Sequence, residues 1–341
     1  MTKEEKRGVW GRLLRWLIPL SISAIAIWLV LRNIDLSQFL INLSKISLST
    51  LILATIIYFA SFSFRAFSWY ILLRRKVSYK DAFFTMGAGY LLNNLFPFRL
   101  GEIGRAILLD NPEGPTGLEV LSSVLVERIF DVFLAAVFVL ATLPRILGAE
   151  FDQRLITAAF ILTLVGMGVL YTAARLRVRI TAWLAGWGKK ENFVRSWVAP
   201  KASQVLEGLS VLNHPLAFLV AFGSLTISWF LAFGMNFIIF SSLFSGPSFW
   251  WMIFVLSTGA FGMALPSAPA GLGVFEGAMV AAFGLLGVNP DLAFTHAVVV
   301  HAISFVYASA LGLIGLRLRG EAVIALYHRV VNRAPQIQSA E

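Results

Sequence analysis

Residues 91–109, LLNNLFPFRLGEIGRAILL, set charge and helix-breaking residues in the middle of an apolar run. Asn93 and Asn94 stand side by side, Pro97 follows, and Arg99, Gly101, Glu102, Gly104 and Arg105 come in quick succession. The proline removes an amide donor and the glycine loosens the backbone, so the stretch reads as two short half-helices about a break. Lipid offers no partner to free amides, carbonyls or charges. The break must therefore face protein or a water-filled cavity. The same device recurs at residues 263–280, MALPSAPAGLGVFEGAMV. Pro97–Gly101 and Pro269–Gly273 share the spacing Pro-x-x-Leu-Gly, and each is followed by a glutamate, Glu102 and Glu276. Two interrupted segments in corresponding halves of a chain point to a transporter-type site.

The surroundings are apolar enough for lipid to be the solvent. Of 341 residues, 58% are hydrophobic and 13% charged, and the mean hydropathy is +0.79. That excludes a soluble globular domain and predicts an all-α polytopic membrane protein. A net charge of +10 then belongs to basic loops held on the cytoplasmic side against anionic lipid, rather than to a nucleic-acid surface. With no cysteine there are no disulfides, iron–sulfur clusters or thiolate metal sites.

Loop charge orients the spans. A basic cytoplasmic tail, 1–15, precedes an apolar run from Trp16 to Leu31, which lacks a small-residue cleavage site and reads as an uncleaved span. Residues 32–47 connect it, outside, to a span from Leu48 to Leu73. Arg74, Arg75, Lys76 and Lys80 fix the cytoplasmic side. Spans follow at 118–143, 155–173, 215–243 and 292–316, the last closed by Arg317 and Arg319. Residues 81–109 must then leave and return on the cytoplasmic face, and 249–286 on the outer face. The expected fold is about six full spans plus two oppositely oriented re-entrant helical hairpins, roughly eight hydrophobic segments, arranged as an inverted repeat. The first membrane half is 16–173 and the second 215–319, with a cytoplasmic tail at 320–341. Residues 174–214, basic and interleaved with Trp183, Trp187 and Trp197, read as amphipathic helices on the inner leaflet or as a docking surface for a partner.

Charges inside the spans carry the functional signal. Glu127 and Asp131 lie four apart on one helical face, and Arg128 points away toward another neighbour. Arg65 sits within the second span, either snorkelling or paired with a buried carboxylate. The arginines 65, 99, 105 and 128 balance Glu102, Glu127, Asp131 and Glu276, so the set can be a closed ion network, a polar path for a headgroup, or both. The half-helix beginning at Leu100 aims free amides and a positive dipole end at the break, where Arg99 and Arg105 reinforce the field for an anion such as phosphate. Gly101 and Gly104 allow close approach, of a helix or of a headgroup. His296 and His301 read as core histidines, since no third metal ligand accompanies them. No nucleotide, metalloprotease or serine-hydrolase motif is present, and no cofactor or metal is expected.

LFPFRLGEIGR (95–105), VERIFD (126–131) and LPSAPAGLGVFEG (265–277), in that order, resemble the lysylphosphatidylglycerol synthase transmembrane-region family, the flippase-like module of the bacterial multiple peptide resistance factor. The resemblance runs from about residue 15 to about residue 320. It implies movement of a phospholipid or lipid-linked headgroup between leaflets of the plasma membrane, with both termini cytoplasmic. It nominates Pro97, Arg99, Gly101, Glu102, Arg105, Glu127, Arg128, Asp131, Gly273 and Glu276, to which the reading of the residues adds Asn93, Asn94 and Arg65. The aminoacyl-transfer domain of the synthase is not expected after residue 320. A non-enzymatic flippase, with anionic or aminoacylated phospholipid as partner and a separate lipid-modifying enzyme nearby, is the resulting expectation. The alternative is a membrane enzyme or accessory subunit of lipid or glycolipid synthesis.

Overall fold

A residue that precedes proline is pushed out of the helical region into extended backbone. Both interrupted segments obey this in the computed structural model. It describes residues 20–32, 34–96, 99–147, 213–263 and 268–338, with isolated helical positions between 154 and 183. Phe96, ahead of Pro97, is extended (φ −128°, ψ 146°) and ends the helix Tyr79–Leu95. Ala268, ahead of Pro269, takes φ −56°, ψ 166°. Beyond each proline the chain turns through left-handed backbone, at Arg99 in the first break and at Ala270, Gly271 and Gly273 in the second.

The described helices, in chain order, are α1 Leu20–Leu31, α2 Leu36–Ser44, α3 Leu48–Leu72, α4 Tyr79–Leu95, α5 Leu100–Leu109 and α6 Gly117–Leu147. After the central segment come α7 Pro215–Leu243, α8 Phe249–Gly262, a 3₁₀ turn Pro269–Gly271, α9 Val274–Gly284, α10 Pro290–Leu318 and α11 Val323–Gln338. No strand occurs among the described residues. Among the described residues three helices, α3, α7 and α10, are long and apolar enough to cross a membrane. The protein is therefore an all-helical integral membrane protein.

Packing follows a repeated scheme. α3 lies along α7. α4 packs on α5 and on α10, while α8 packs on α9 and on α6. α5 rests against α6, and α9 against α10. The α4–α10 seam is backbone against backbone: a Cβ on Gly312 would stand 2.6 Å from the Gly87 carbonyl oxygen, and one on Gly315 2.7 Å from that of Phe84. Small residues at such seams allow the close approach that drives helix association where lipid gives no hydrophobic gain.

The structure departs from the sequence expectation in three places. The connection at 32–47 contains a helix, α2, whose start is capped by Asp35 accepting from the amides of Ser37 and Gln38. α6 runs three residues past Pro144, although the proline gives up its own amide bond to the preceding turn. The expected tail at 320–341 is largely helix. α11 lays Leu326 and Val330 against Leu92 and Ile107 of the first hairpin, and Tyr327 stacks on Phe96 at 4.2 Å. The basic tail 1–15, Pro97, most of the span at 155–173 and most of 174–214 lie outside the described residues.

Candidate functional site

One turn of α6 holds the centre of the site. Glu127 and Asp131 face α3, where Arg65 reaches both. Arg65 donates to the two Asp131 oxygens at 2.9 and 2.8 Å and to Glu127 Oε1 at 3.0 Å. The planar guanidinium matches a carboxylate with two parallel bonds, which fixes both side chains. Trp229 of α7 donates its Nε1 to Asp131 Oδ1 at 3.0 Å. The second Glu127 oxygen accepts from Arg105 of α5 at 2.8 Å.

Arg105 is 1% exposed and Glu127 not at all. The Arg105 guanidinium lies 5.0 Å from the Trp69 ring centre and 5.4 Å from that of Tyr90, so two aromatic faces share its charge with the carboxylate. Arg128 does not point away from the acidic face as expected: it donates to Asp131 at 3.1 Å, one turn on, and forms an ion pair with Glu102 of α5 across 3.3 Å. These contacts tie α3, α5, α6 and α7 together through charge.

Arg99 differs from the other three arginines. It holds a left-handed conformation (φ 52°, ψ 41°) at the start of α5, a geometry that costs a non-glycine residue about 1 kcal/mol. Its guanidinium donates to the backbone carbonyl of Met263, the residue that ends α8, and so joins one break to the other. Among the described residues no carboxylate lies within ion-pair distance of it.

A cavity of about 400 Å³ opens between the two hairpins. Its polar wall carries Arg65, Asn94, Arg99, Arg128, Asp131 and His301, and the remainder is mainly apolar. Asn94 is held there by donating to Ser309 Oγ at 2.8 Å and to the Phe305 carbonyl at 3.3 Å.

The other nominated residues build the breaks. Asn93 Oδ1 accepts from the Gly101 amide at 2.8 Å and thereby caps α5. Gly101 lies against Gly89 so tightly that a Cβ would sit 1.9 Å from the Gly89 carbonyl oxygen. Gly104 faces Leu92 in the same way. At the second break Gly273 (φ 81°) fits beneath Ile27 and Ser23 of α1, and its amide donates to Glu276 Oε2 at 2.7 Å.

Of the two readings left open for Arg65 the structure takes the paired one, because Glu127 and Asp131 present a ready-made acceptor at its depth. Two expectations change here. Glu276 stands apart from the arginines: its partner is His301, whose Nδ1 lies 2.5 Å from Glu276 Oε1. His301 is thus a cavity residue and not simply a core one, since α9 and α10 pack side by side. His296 does match the core reading. It is buried against Phe240 and Phe283 and bonded to Asn236 at 3.0 Å. Trp69, Tyr90 and Trp229 escaped the sequence reading, and His301 entered it only as a core histidine. Aromatic residues are common in such spans, and only the pairing of helices reveals which of them meet a charge.

Residues 16–312 match the family model described as the lysylphosphatidylglycerol synthase TM region. A curated "UPF0104 membrane protein" of Methanothermobacter thermautotrophicus is 28% identical over 263 residues, which is 69% of this chain and 74% of that protein. The family match spans both hairpins and every charged residue of the site, and the chain belongs to the lysylphosphatidylglycerol synthase TM region family of membrane proteins.

Proposed function

We propose that the protein is a flippase-like lipid transporter of the plasma membrane, and that the cavity between its two hairpins receives a phosphate-bearing lipid headgroup. The observation that carries this reading is Arg99. Arg65, Arg105 and Arg128 are each held by carboxylates, whereas Arg99 lines the cavity with, among the described residues, a backbone carbonyl as its hydrogen-bond partner and no carboxylate in ion-pair distance. It stands at the start of α5, where the macrodipole adds positive potential. A guanidinium in that position suits the paired oxygens of a phosphodiester. The mainly apolar remainder of the cavity suits a lipid's glycerol and upper acyl chains.

The packing scheme supports an inverted repeat in which α3, α4–α5 and α6 correspond to α7, α8–α9 and α10; the sidedness, with hairpins opening to opposite faces and both termini cytoplasmic, rests on the basic loops. Transport then consists of exposing the shared cavity to each face in turn. Arg105, enclosed by Glu127 and two rings, serves in this reading as a support for the headgroup site rather than as a direct ligand.

Reconstitution tests it. Proteoliposomes carrying fluorescent phospholipids of differing headgroup should show protein-dependent loss of the label from one leaflet for an anionic lipid. Arg99→Gln should abolish that movement with no fall in melting temperature. Unchanged transport by Arg99→Gln, or no transport of any phosphate-bearing lipid by the native protein, would overturn the proposal.

A further inference from the structure

The two halves fasten hairpin to span with pairs of different chemistry. In the first half the buried link between α5 and α6 is Arg105–Glu127, beside the more exposed Glu102–Arg128. In the second the link between α9 and α10 is Glu276–His301. An arginine keeps its proton in a protein, so the first pair has fixed charge. The second can gain a proton. Glu276 Oε1 sits 2.5 Å from His301 Nδ1, so in the neutral ring Nδ1 carries the hydrogen and Nε2 the free lone pair. That Nε2 has no partner among the described residues and is not enclosed by protein, and the ring itself lines the cavity. Glu276 is held in turn by the Gly273 amide, which fixes the carboxylate against the ring.

Other groups around the cavity set the charge balance. Tyr58 and Arg65 face it from α3, Tyr90 from α4, Arg99 from the first break, and Arg128 and Asp131 from α6. α7 and α8 line it with no titratable group, and His296, on the same helix as His301, is turned to Asn236. With His301 neutral, the four arginines 65, 99, 105 and 128 are matched by Glu102, Glu127, Asp131 and Glu276, and the site as a whole is neutral. A monoanionic headgroup would leave it one charge negative, in an interior where uncompensated charge is costly. One proton on His301 restores neutrality.

We infer that His301, held by Glu276, is a proton-binding site linked to the headgroup site, so that a monoanionic phosphodiester and one proton occupy the cavity together. The inference rests on the headgroup reading above. The proton comes from a hydronium ion of the bulk solvent: an N–H bond forms at Nε2 as the hydronium O–H bond breaks to leave water, and no bond of the lipid changes. Linkage is reciprocal: the anion favours the proton as much as the proton favours the anion.

The test is equilibrium binding of dioctanoylphosphatidylglycerol, whose phosphodiester carries one negative charge, to the full chain in a neutral detergent. Affinity should weaken as pH rises, with a limiting slope of about tenfold per pH unit. Where the slope is steepest, a weakly buffered indicator should report close to one proton taken up per lipid bound. His301→Gln should flatten the pH dependence and remove the uptake, whereas His328→Gln, on exposed α11, should change neither. Should His301→Gln fail to fold, the native protein's slope and proton count decide alone. Binding without slope or uptake, or a slope that survives His301→Gln, overturns this inference and leaves the headgroup reading standing. No binding at any pH overturns both.

Discussion

Asn93 and Glu276 hold the same bond in opposite halves of the chain. Each accepts from the amide of the glycine that restarts a helix after a Pro-x-x-Leu-Gly break, Gly101 at 2.8 Å and Gly273 at 2.7 Å. The two acceptors come from different places. Asn93 reaches across from the preceding half-helix, while Glu276 reaches back from within its own first turn. The bond thus recurs where the residue does not. A helix start within an apolar interior must have its amides satisfied, and either side chain meets that need.

Removal of the Asn93 cap should be measurable. Asn93→Ala leaves the Gly101 amide without its acceptor, and loss of a cap costs about 1 kcal/mol. Asn93→Asp keeps an acceptor oxygen. Thermal unfolding in detergent should show a melting temperature a few degrees lower for alanine and nearly native for aspartate. Equal losses for both would mean that the amide bond contributes little.

Gly101→Ala should prevent folding. The added Cβ would stand 1.9 Å from the Gly89 carbonyl oxygen, and backbone cannot rotate aside as a side chain can. Gly234, on α7, has nothing within 4 Å of a built Cβ, so Gly234→Ala is the matched control. Fluorescence-detected size exclusion should give a monodisperse peak for Gly234→Ala and none for Gly101→Ala. A normal peak from Gly101→Ala would mean that α4 and α5 pack less closely than described.

Much of the fold was legible because its strongest signals are local. Apolar length located α3, α7 and α10 within two residues at each end, and proline with glycine located both breaks. Four-residue spacing placed Glu127 and Asp131 on one face, and Arg65 now spans both. What stayed hidden depends on which helices touch. Glu276 resembled Glu102 as a glutamate after a break, yet one meets His301 and the other Arg128. Arg99 and Arg105 looked alike in sequence. Only three-dimensional packing shows that one lines the cavity and the other lies behind it between Trp69 and Tyr90. α2 and α11 were missed for another reason: both occur in segments read only as a connection and a tail, and each is held by contacts distant in sequence.

Opposite hairpin orientation has a direct readout, because the chain contains no native cysteine. Glu113 lies in the loop after the first hairpin and Gly287 in the loop after the second. Single cysteines at these two positions should react with an impermeant maleimide from opposite sides of sealed membranes, position 113 from the cytoplasmic face. Labelling of both from the same side would contradict the inverted arrangement.

The Arg105–Glu127 pair separates support from substrate contact. Both side chains are essentially closed to solvent, so Arg105→Gln strands a carboxylate that retains only part of its compensation, from Arg65 and Arg128. Breaking one side of a buried pair costs about 3–5 kcal/mol. Glu127→Gln alone strands Arg105 between its two rings, where cation–π contacts of about 2 kcal/mol offset part of the loss. The double change removes both charges and leaves neutral amides able to bond to one another. Melting temperatures should therefore rank native highest, the double variant next, and Arg105→Gln lowest. Lipid translocation should follow the same order, since this pair positions α5 and, through it, Arg99. Arg99→Gln should break that correlation, losing transport at native stability because its guanidinium gives up only a carbonyl contact. If Arg105→Gln instead melts like the native protein and loses transport outright, Arg105 is itself a ligand for the headgroup, and the enclosed geometry must open during the cycle.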